Sequence, residues 1–246
     1  KMAKIKIAEI INYLITELKI NDIPDNSING LQIEGAEYCS KICGAVDVSL
    51  FSIEQTIFNN AELLIAHHGL FWKNMNFTIQ GSLKQRLKKA LENNLNVFAA
   101  HLPLDMHPNY GNNIQICKLL KLKNIEEFGN YHNIKIGYSG VLQTALNFDK
   151  FLELYNQTIG AAINFIDSQR QVKKIGIVSG GGASVFYDCI NLGIDTFITG
   201  EPSYQIRNIA LEEKINVVFG GHYNTETFGV IALLNALNKK FKLPIF

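Results

Sequence analysis

Four of the six histidines stand directly after short apolar runs. His67 and His68 follow Leu63-Leu-Ile-Ala66, His101 follows the run 96–100, and His222 follows the run 216–219 and two glycines. Neutral imidazole is a common ligand of divalent metals, and carboxylates can bridge two of them. Two of these histidines are followed four residues on by a carboxylate, as His101-x3-Asp105 and His222-x3-Glu226. The three motifs offer more nitrogen and oxygen ligands than one tetrahedral ion takes. A pair of ions about 3.5–4 Å apart, sharing one carboxylate, would use them all, and such pairs activate water for hydrolysis. Neighbouring side chains on an extended strand point to opposite faces. His67 and His68 are therefore expected to serve separate ions, or one to ligate while the other stands by. His107 and His132 lack this context and are expected on the surface.

Elements of alternating type must carry these residues. Isoleucines and leucines at 7, 10, 11, 14 and 18 have helical spacing. The stretch Asp25-Asn-Ser-Ile-Asn-Gly-Leu-Gln-Ile-Glu-Gly35 is turn-rich and reads as an exposed loop leading into a short strand. Strands are expected at 42–46, 63–66 and 96–100, with helices at 50–60 and 83–94 between them. After about residue 125 the rhythm restarts: Val141, Leu142 and Leu146 lead into a helix at 148–159, then strands at 174–178, 196–199 and 216–219. Helices are expected up to 191 and 211, and a last one at 228–237. Strands alternating with helices argue for an α/β fold with a mixed or largely parallel sheet in each part. In such folds ligands gather at the carboxyl ends of the strands.

The two parts align with each other. Val46-Asp47 to Ala66-His67 spans the same step as Val178-Ser179 to Ile198-Thr199, and Leu91-Glu-Asn-Asn-Leu-Asn-Val97 matches Leu211-Glu-Glu-Lys-Ile-Asn-Val217. This reads as an internal duplication giving two related α/β domains with a metal site between them. The expected division is residues 1–125 plus 215–246, carrying most ligands, and residues 126–214. The loop Ser179-Gly-Gly-Gly-Ala-Ser184 lies between a strand and a helix. It is either a tight turn or a phosphate cradle of backbone N–H groups, and it lacks the P-loop lysine.

Composition narrows the classes. The chain of 246 residues carries 23 basic and 22 acidic side chains, a net charge of +1 that gives no electrostatic reason to favour nucleic acid. Charged residues are 18%, below the roughly 25% of an average domain, so the surface is neutral or covered by other chains. Disorder, collagen and a basic tail are excluded. No apolar run reaches the ~18 residues of a membrane span, and the amino terminus lacks a signal-peptide profile. Met2 reads as the natural start, with Lys1 ahead of it. The four scattered cysteines read as free thiols in a reducing compartment, so a cytoplasmic protein is expected.

Taken in order, His67-His68-Gly69-Leu70-Phe71-Trp72, Ala100-His101-Leu-Pro-Leu-Asp105, Thr199-Gly200-Glu201 and Gly221-His222-Tyr-Asn-Thr-Glu226 resemble the Ngg-interacting-factor-three-like family. Its bacterial members are called GTP cyclohydrolase I type 2 homologues. Asn29-Gly30-Leu31-Gln32-Ile33-Glu34-Gly35 and Gly111-Asn112-Asn113 extend the resemblance over nearly the whole chain. The stretch 25–31 is looser than the family's Asp-Asn-x-Gly-Leu, and glycine replaces the more usual proline at 69. The resemblance implies two divalent ions, zinc, iron or manganese, held by His67, His68, Asp105, His222 and Glu226, with Glu226 as the bridge. It implies a supporting or acid–base role for His101. In the repeat alignment Glu201 falls opposite Gly69, and it is expected to handle substrate or protons. The implied activity is metal-dependent hydrolysis of a nucleotide or related phosphorylated small molecule, in a ring-like homohexamer. The alternative is a non-catalytic metal- or ligand-binding assembly protein.

Overall fold

The structure is a computed structural model that describes residues 4–246; the reading of Met2 as the start lies outside them. The chain divides into two compact units, one running to Leu104 and resuming at Val230–Phe246, the other Asp105–Gly229.

The first unit opens with β1 (Ile5–Lys6) and α1 (Ile7–Glu17), then β2 (Gly30–Ile33), β3 (Tyr38–Cys39) and β4 (Ile42–Asp47). It continues with α2 (Leu50–Phe58), β5 (Leu63–His68), α3 (Gly81–Glu92), β6 (Asn96–Ala99) and the short α4 (Leu102–Asp105). Ile7, Ile10, Ile11 and Leu14 give α1 one buried face, the spacing that makes a helix amphipathic. A reciprocal capping box between Ser49 and Ser52 starts α2, satisfying amides that the first turn leaves unpaired. The sheet runs β2-β6-β5-β4, with β4, β5 and β6 parallel and β2 antiparallel to β6. The central β5 is buried from Leu63 to His67, which explains its unbroken apolar run. Val48, Ile53, Leu64, Ala90, Leu95 and Val97 close the core on the α2–α3 side.

The second unit holds α5 (Asn112–Leu119), β7 (Lys123–Tyr131), β8 (Ile134–Leu146), α6 (Phe148–Thr158), β9 (Asn164–Ile166) and β10 (Val172–Val178). A 3-10 turn at Gly182–Val185 leads to α7 (Tyr187–Leu192), β11 (Thr196–Thr199), α8 (Tyr204–Glu212) and β12 (Asn216–Phe219). α9 (His222–Phe241) begins in this unit and continues into the first. The sheet order is β7-β8-β10-β11-β12-β9. Strands β10, β11 and β12 are parallel, and the remaining neighbours are antiparallel. The fold is therefore mixed α/β.

The two sheets share one plan. β2-β6-β5-β4 and β9-β12-β11-β10 each set an antiparallel strand beside three parallel strands taken in reverse chain order. The first parallel crossovers even match in register, pairing Ile42 with Leu63 and Ile175 with Thr196.

Several expectations are corrected. Residues 105–125 and 215–229, read from sequence as part of the first unit, fall in the second. The reason is packing: Ile114, Ile116 and Cys117 share a core with Tyr138, Ile175 and Ile177, and β12 pairs with β11. The long β7–β8 hairpin departs from the expected pattern, because Glu126 and Glu127 interrupt any alternation of apolar residues. Its turn residues His132 and Asn133 both have positive φ, 47° and 67°, as a tight two-residue hairpin turn requires. The last helix starts at His222 rather than 228, which puts His222 and Glu226 one turn apart on a single face.

Candidate metal centre

In the first unit the ends of β4, β5 and β6 bring three histidines together. Single ligand atoms of His67, His68 and His101 lie within 4.8 Å of one another. His67 is fully buried, and its Nδ1 lies 2.9 Å from the Ala100 carbonyl oxygen. His68 Nδ1 lies 2.9 Å from Asp47 Oδ1, its register partner on β4. His101 Nδ1 lies 2.9 and 3.1 Å from the two oxygens of Asp25. The His67 and His68 rings do not diverge as strand alternation implies. Their centroids are 4.7 Å apart, at the very end of β5, whose last residue is His68. Trp72 packs edge-on against the His101 ring at 5.0 Å.

In the second unit the first turn of α9 presents His222 and Glu226, with Nε2 and Oε1 3.1 Å apart. That spacing suits two ligands on one ion with bonds of about 2.0–2.2 Å. Glu226 is buried and Glu201 exposed, and Glu201 Oε1 lies 2.6 Å from His222 Nδ1. The hydrogen bond to Glu226 raises the His222 imidazole to about 9; burial opposes this, and the Glu226 charge and the Glu201 contact add to it. Asp105 is buried, and its Oδ1 accepts from Asn112 Nδ2 at 2.8 Å and Ser179 Oγ at 3.1 Å. Among the described residues, no trio of such ligand atoms within 4.8 Å includes Asp105.

The glycine loop after β10 packs against this cluster. Three of its amides are used within the protein: Ser179 N donates to Asn113 Oδ1, Gly180 N to Thr225 Oγ1 and Gly182 N to Thr199 Oγ1. Gly180 has φ +60°, and a Cβ there would overlap Glu226 Oε1 and stand 3.1 Å from His222 Nε2. The loop thus keeps space over the His222–Glu226 pair.

The donor set fits divalent metal. All four histidines engage Nδ1 with a carbonyl or carboxylate, which fixes the ring and turns Nε2 to the side where a metal would bind. Imidazole with carboxylate suits zinc, iron or manganese. Thiolate is absent from the set: all four cysteines are buried and free.

Sequence reasoning missed Asp25, Asp47, Asn112 and Ser179. Asp25, Asp47 and Ser179 act through partners distant in the chain, and Asn112 through Asp105, seven residues away. The Asp25 loop was expected to be exposed, yet the Asp25 side chain is 3% accessible. His107, expected on the surface, is buried; it stacks on Tyr110, and its Nδ1 accepts from the amides of Asn109 and Tyr110. His132 is exposed.

A mixed α/β fold of this topology, with histidines and carboxylates that could hold a metal ion at its strand ends, narrows the class, and comparison with known proteins gives the family. The family model described as Duf34/NIF3 (NGG1p interacting factor 3) matches residues 5–246. The chain is 39% identical over 234 residues to a GTP cyclohydrolase 1 type 2 homolog of Archaeoglobus fulgidus, covering 95% of this chain and 94% of that one. It is 36% identical to the Deinococcus radiodurans protein of the same name, over 96% and 90% of the two chains. Among solved structures it resembles TTHA1606 from Thermus thermophilus, with a TM-score of 0.90 and 32% identity over 98% and 97% of the chains. A structure described as protein ybgI, of unknown function, gives a TM-score of 0.92 and 30% identity over 98% and 97%. The chain belongs to the Duf34/NIF3 family. Among the described residues, no helix is long and apolar enough to cross a membrane.

Proposed function

We propose that this protein is a dinuclear-metal-dependent hydrolase acting on a nucleotide or related phosphorylated small molecule, with an activity like that named for its GTP cyclohydrolase 1 type 2 relatives. The observation that carries the reading is the orientation of the histidines: each of the four turns Nδ1 to an acceptor of its own. Hydrogen-bonded core histidines have no need of so uniform an arrangement, whereas metal ligands do. His67, His68, Asp105, His222 and Glu226 would hold two divalent ions, with Glu226 shared. When bound, such ions supply Lewis acidity and lower the pKa of water enough to make a nucleophile near neutral pH.

The chain's own groups supply the proton handling. Glu201, exposed and 2.6 Å from His222 Nδ1, links that ring to solvent. His101, backed by a buried carboxylate, serves as the acid–base group or as a further ligand. Acid–base work of this kind contributes ~10²–10⁴-fold to a rate. A ring-like homohexamer in the cytoplasm is part of the same reading.

The test is metal content and turnover together. Glu226→Ala should lower bound metal, by plasma emission after dialysis, from two per chain to one or none. Two equivalents retained would overturn the assignment of the bridge. A panel of nucleotides and phosphoesters should show turnover that chelation abolishes. Full metal occupancy without turnover on any of them would favour a non-catalytic binding protein.

A further inference from the structure

We propose that Asp25 is the positioning residue of His101, fixing its imidazole in the tautomer protonated at Nδ1 so that Nε2 is the nitrogen offered to a metal or substrate. The inference deepens the reading of His101 given above and rests on it for the functional consequence alone.

Asp25 does far more than a loop carboxylate needs to do. Oδ1 accepts from Ser27 N at 3.1 Å and lies 2.9 Å from His101 Nδ1. Oδ2 accepts from Asn29 Nδ2 at 2.9 Å and Leu102 N at 3.0 Å, and lies 3.1 Å from the same ring nitrogen. Asn29 completes the grip, its Oδ1 accepting from His101 N at 2.8 Å. The contacts to Ser27 and Asn29 would suffice to shape the turn. Those to His101 and Leu102 cross more than seventy residues of chain and take hold of the ring and its backbone together.

An ionised carboxylate only accepts hydrogen bonds, so the ring nitrogen facing it must carry the proton. The neutral imidazole then keeps its lone pair on Nε2. Asp25→Asn reverses this. Two fixed donors, Leu102 N and Asn29 Nδ2, face the Oδ2 position and one, Ser27 N, faces Oδ1. The amide oxygen therefore takes the Oδ2 position and the NH2 group faces His101 Nδ1. That ring nitrogen must now accept, and the proton moves to Nε2.

The experiment is a long-range proton–nitrogen correlation spectrum of metal-free, 15N-histidine-labelled full chain at about pH 8, where an ordinary imidazole is neutral. The His101 signals are assigned by their loss in His101→Gln. The wild-type protein should show Nδ1–H with an unprotonated Nε2, and Asp25→Asn the reverse. Asn29→Ala removes the grip on the backbone but leaves the carboxylate, and should keep the wild-type tautomer. A wild-type ring protonated at Nε2, a folded Asp25→Asn chain with the wild-type tautomer, or a reversal in Asn29→Ala would each overturn the proposal. If Asp25→Asn does not fold, the wild-type and Asn29→Ala spectra decide it. Zinc affinity supplies the second readout, for the case in which His101 is a ligand: Asp25→Asn should then weaken it by about 10–100-fold, the usual effect of losing a carboxylate behind a ligating histidine. Failure of the wild-type chain to bind zinc would refute the metal centre and leave the tautomer result standing.

Discussion

The space above the His222–Glu226 pair can be tested by adding one methyl group. Gly180→Ala places a Cβ where φ is +60°, a conformation that costs an L-residue about 1–2 kcal/mol. The backbone cannot slide away. Gly180 N donates to Thr225 Oγ1 at 3.0 Å, and Gly180 O accepts from Gly200 N at 2.9 Å and Glu201 N at 3.1 Å. The overlap with Glu226 Oε1 must therefore be relieved by Glu226, which is 2% accessible and has little room to move. Overpacking of this kind adds about 1–3 kcal/mol, for a total of about 2–5 kcal/mol. Gly193→Ala is the matched control. Its φ is +63°, yet nothing lies within 4 Å of the added Cβ, so it should lose only the conformational part and keep its metal. Urea titrations of the metal-free variants, followed by circular dichroism, give the stability difference, and metal analysis gives occupancy. Gly180→Ala should be the less stable of the two and should lose metal. Equal destabilisation of the two variants with full metal in both would refute the reasoning.

Three further outcomes follow from the geometry. The folded-state pKa of His222, about 9, lies above the ordinary ~6.5, so its stabilisation of the metal-free fold is complete below pH ~6.5 and fades as pH rises through ~9. Metal must expel that proton, so zinc binding near pH 7 should release it and tighten toward pH 9; a binding heat independent of buffer ionisation enthalpy would contradict this. Replacing all four buried cysteines by alanine should leave metal stoichiometry unchanged, because burial holds thiols such as Cys39 and Cys117 up to about 12; loss of metal from a chain that still folds would mean a thiolate ligand. Light scattering behind gel filtration should give a multiple of 27.6 kDa, and a monomer mass at micromolar concentration would contradict the oligomer.

Much of the fold is written in local pattern. Strands at 196–199 and 216–219 were legible to the residue, because a short apolar run between helical segments has few alternatives. The placement of the histidines at strand ends was legible for a related reason: a parallel sheet gathers candidate ligands there. Helix spacing then sets His222 and Glu226 side by side once α9 is known to begin at His222. What the sequence could not determine is which groups stand behind those histidines. Asp25 reaches His101 and Asp47 reaches His68 only after loops close and β4 pairs with β5 in register. Nor could the sequence show that three amides of the glycine loop would be taken by Asn113, Thr199 and Thr225, from three other elements. The unit boundary moved for the same reason, since α5 goes where its buried residues find Tyr138 and Ile175. Local periodicity fixes which face of an element is apolar, and it carries no information about which distant donor or acceptor that face will meet. That choice belongs to tertiary packing, where every buried polar group must find a partner.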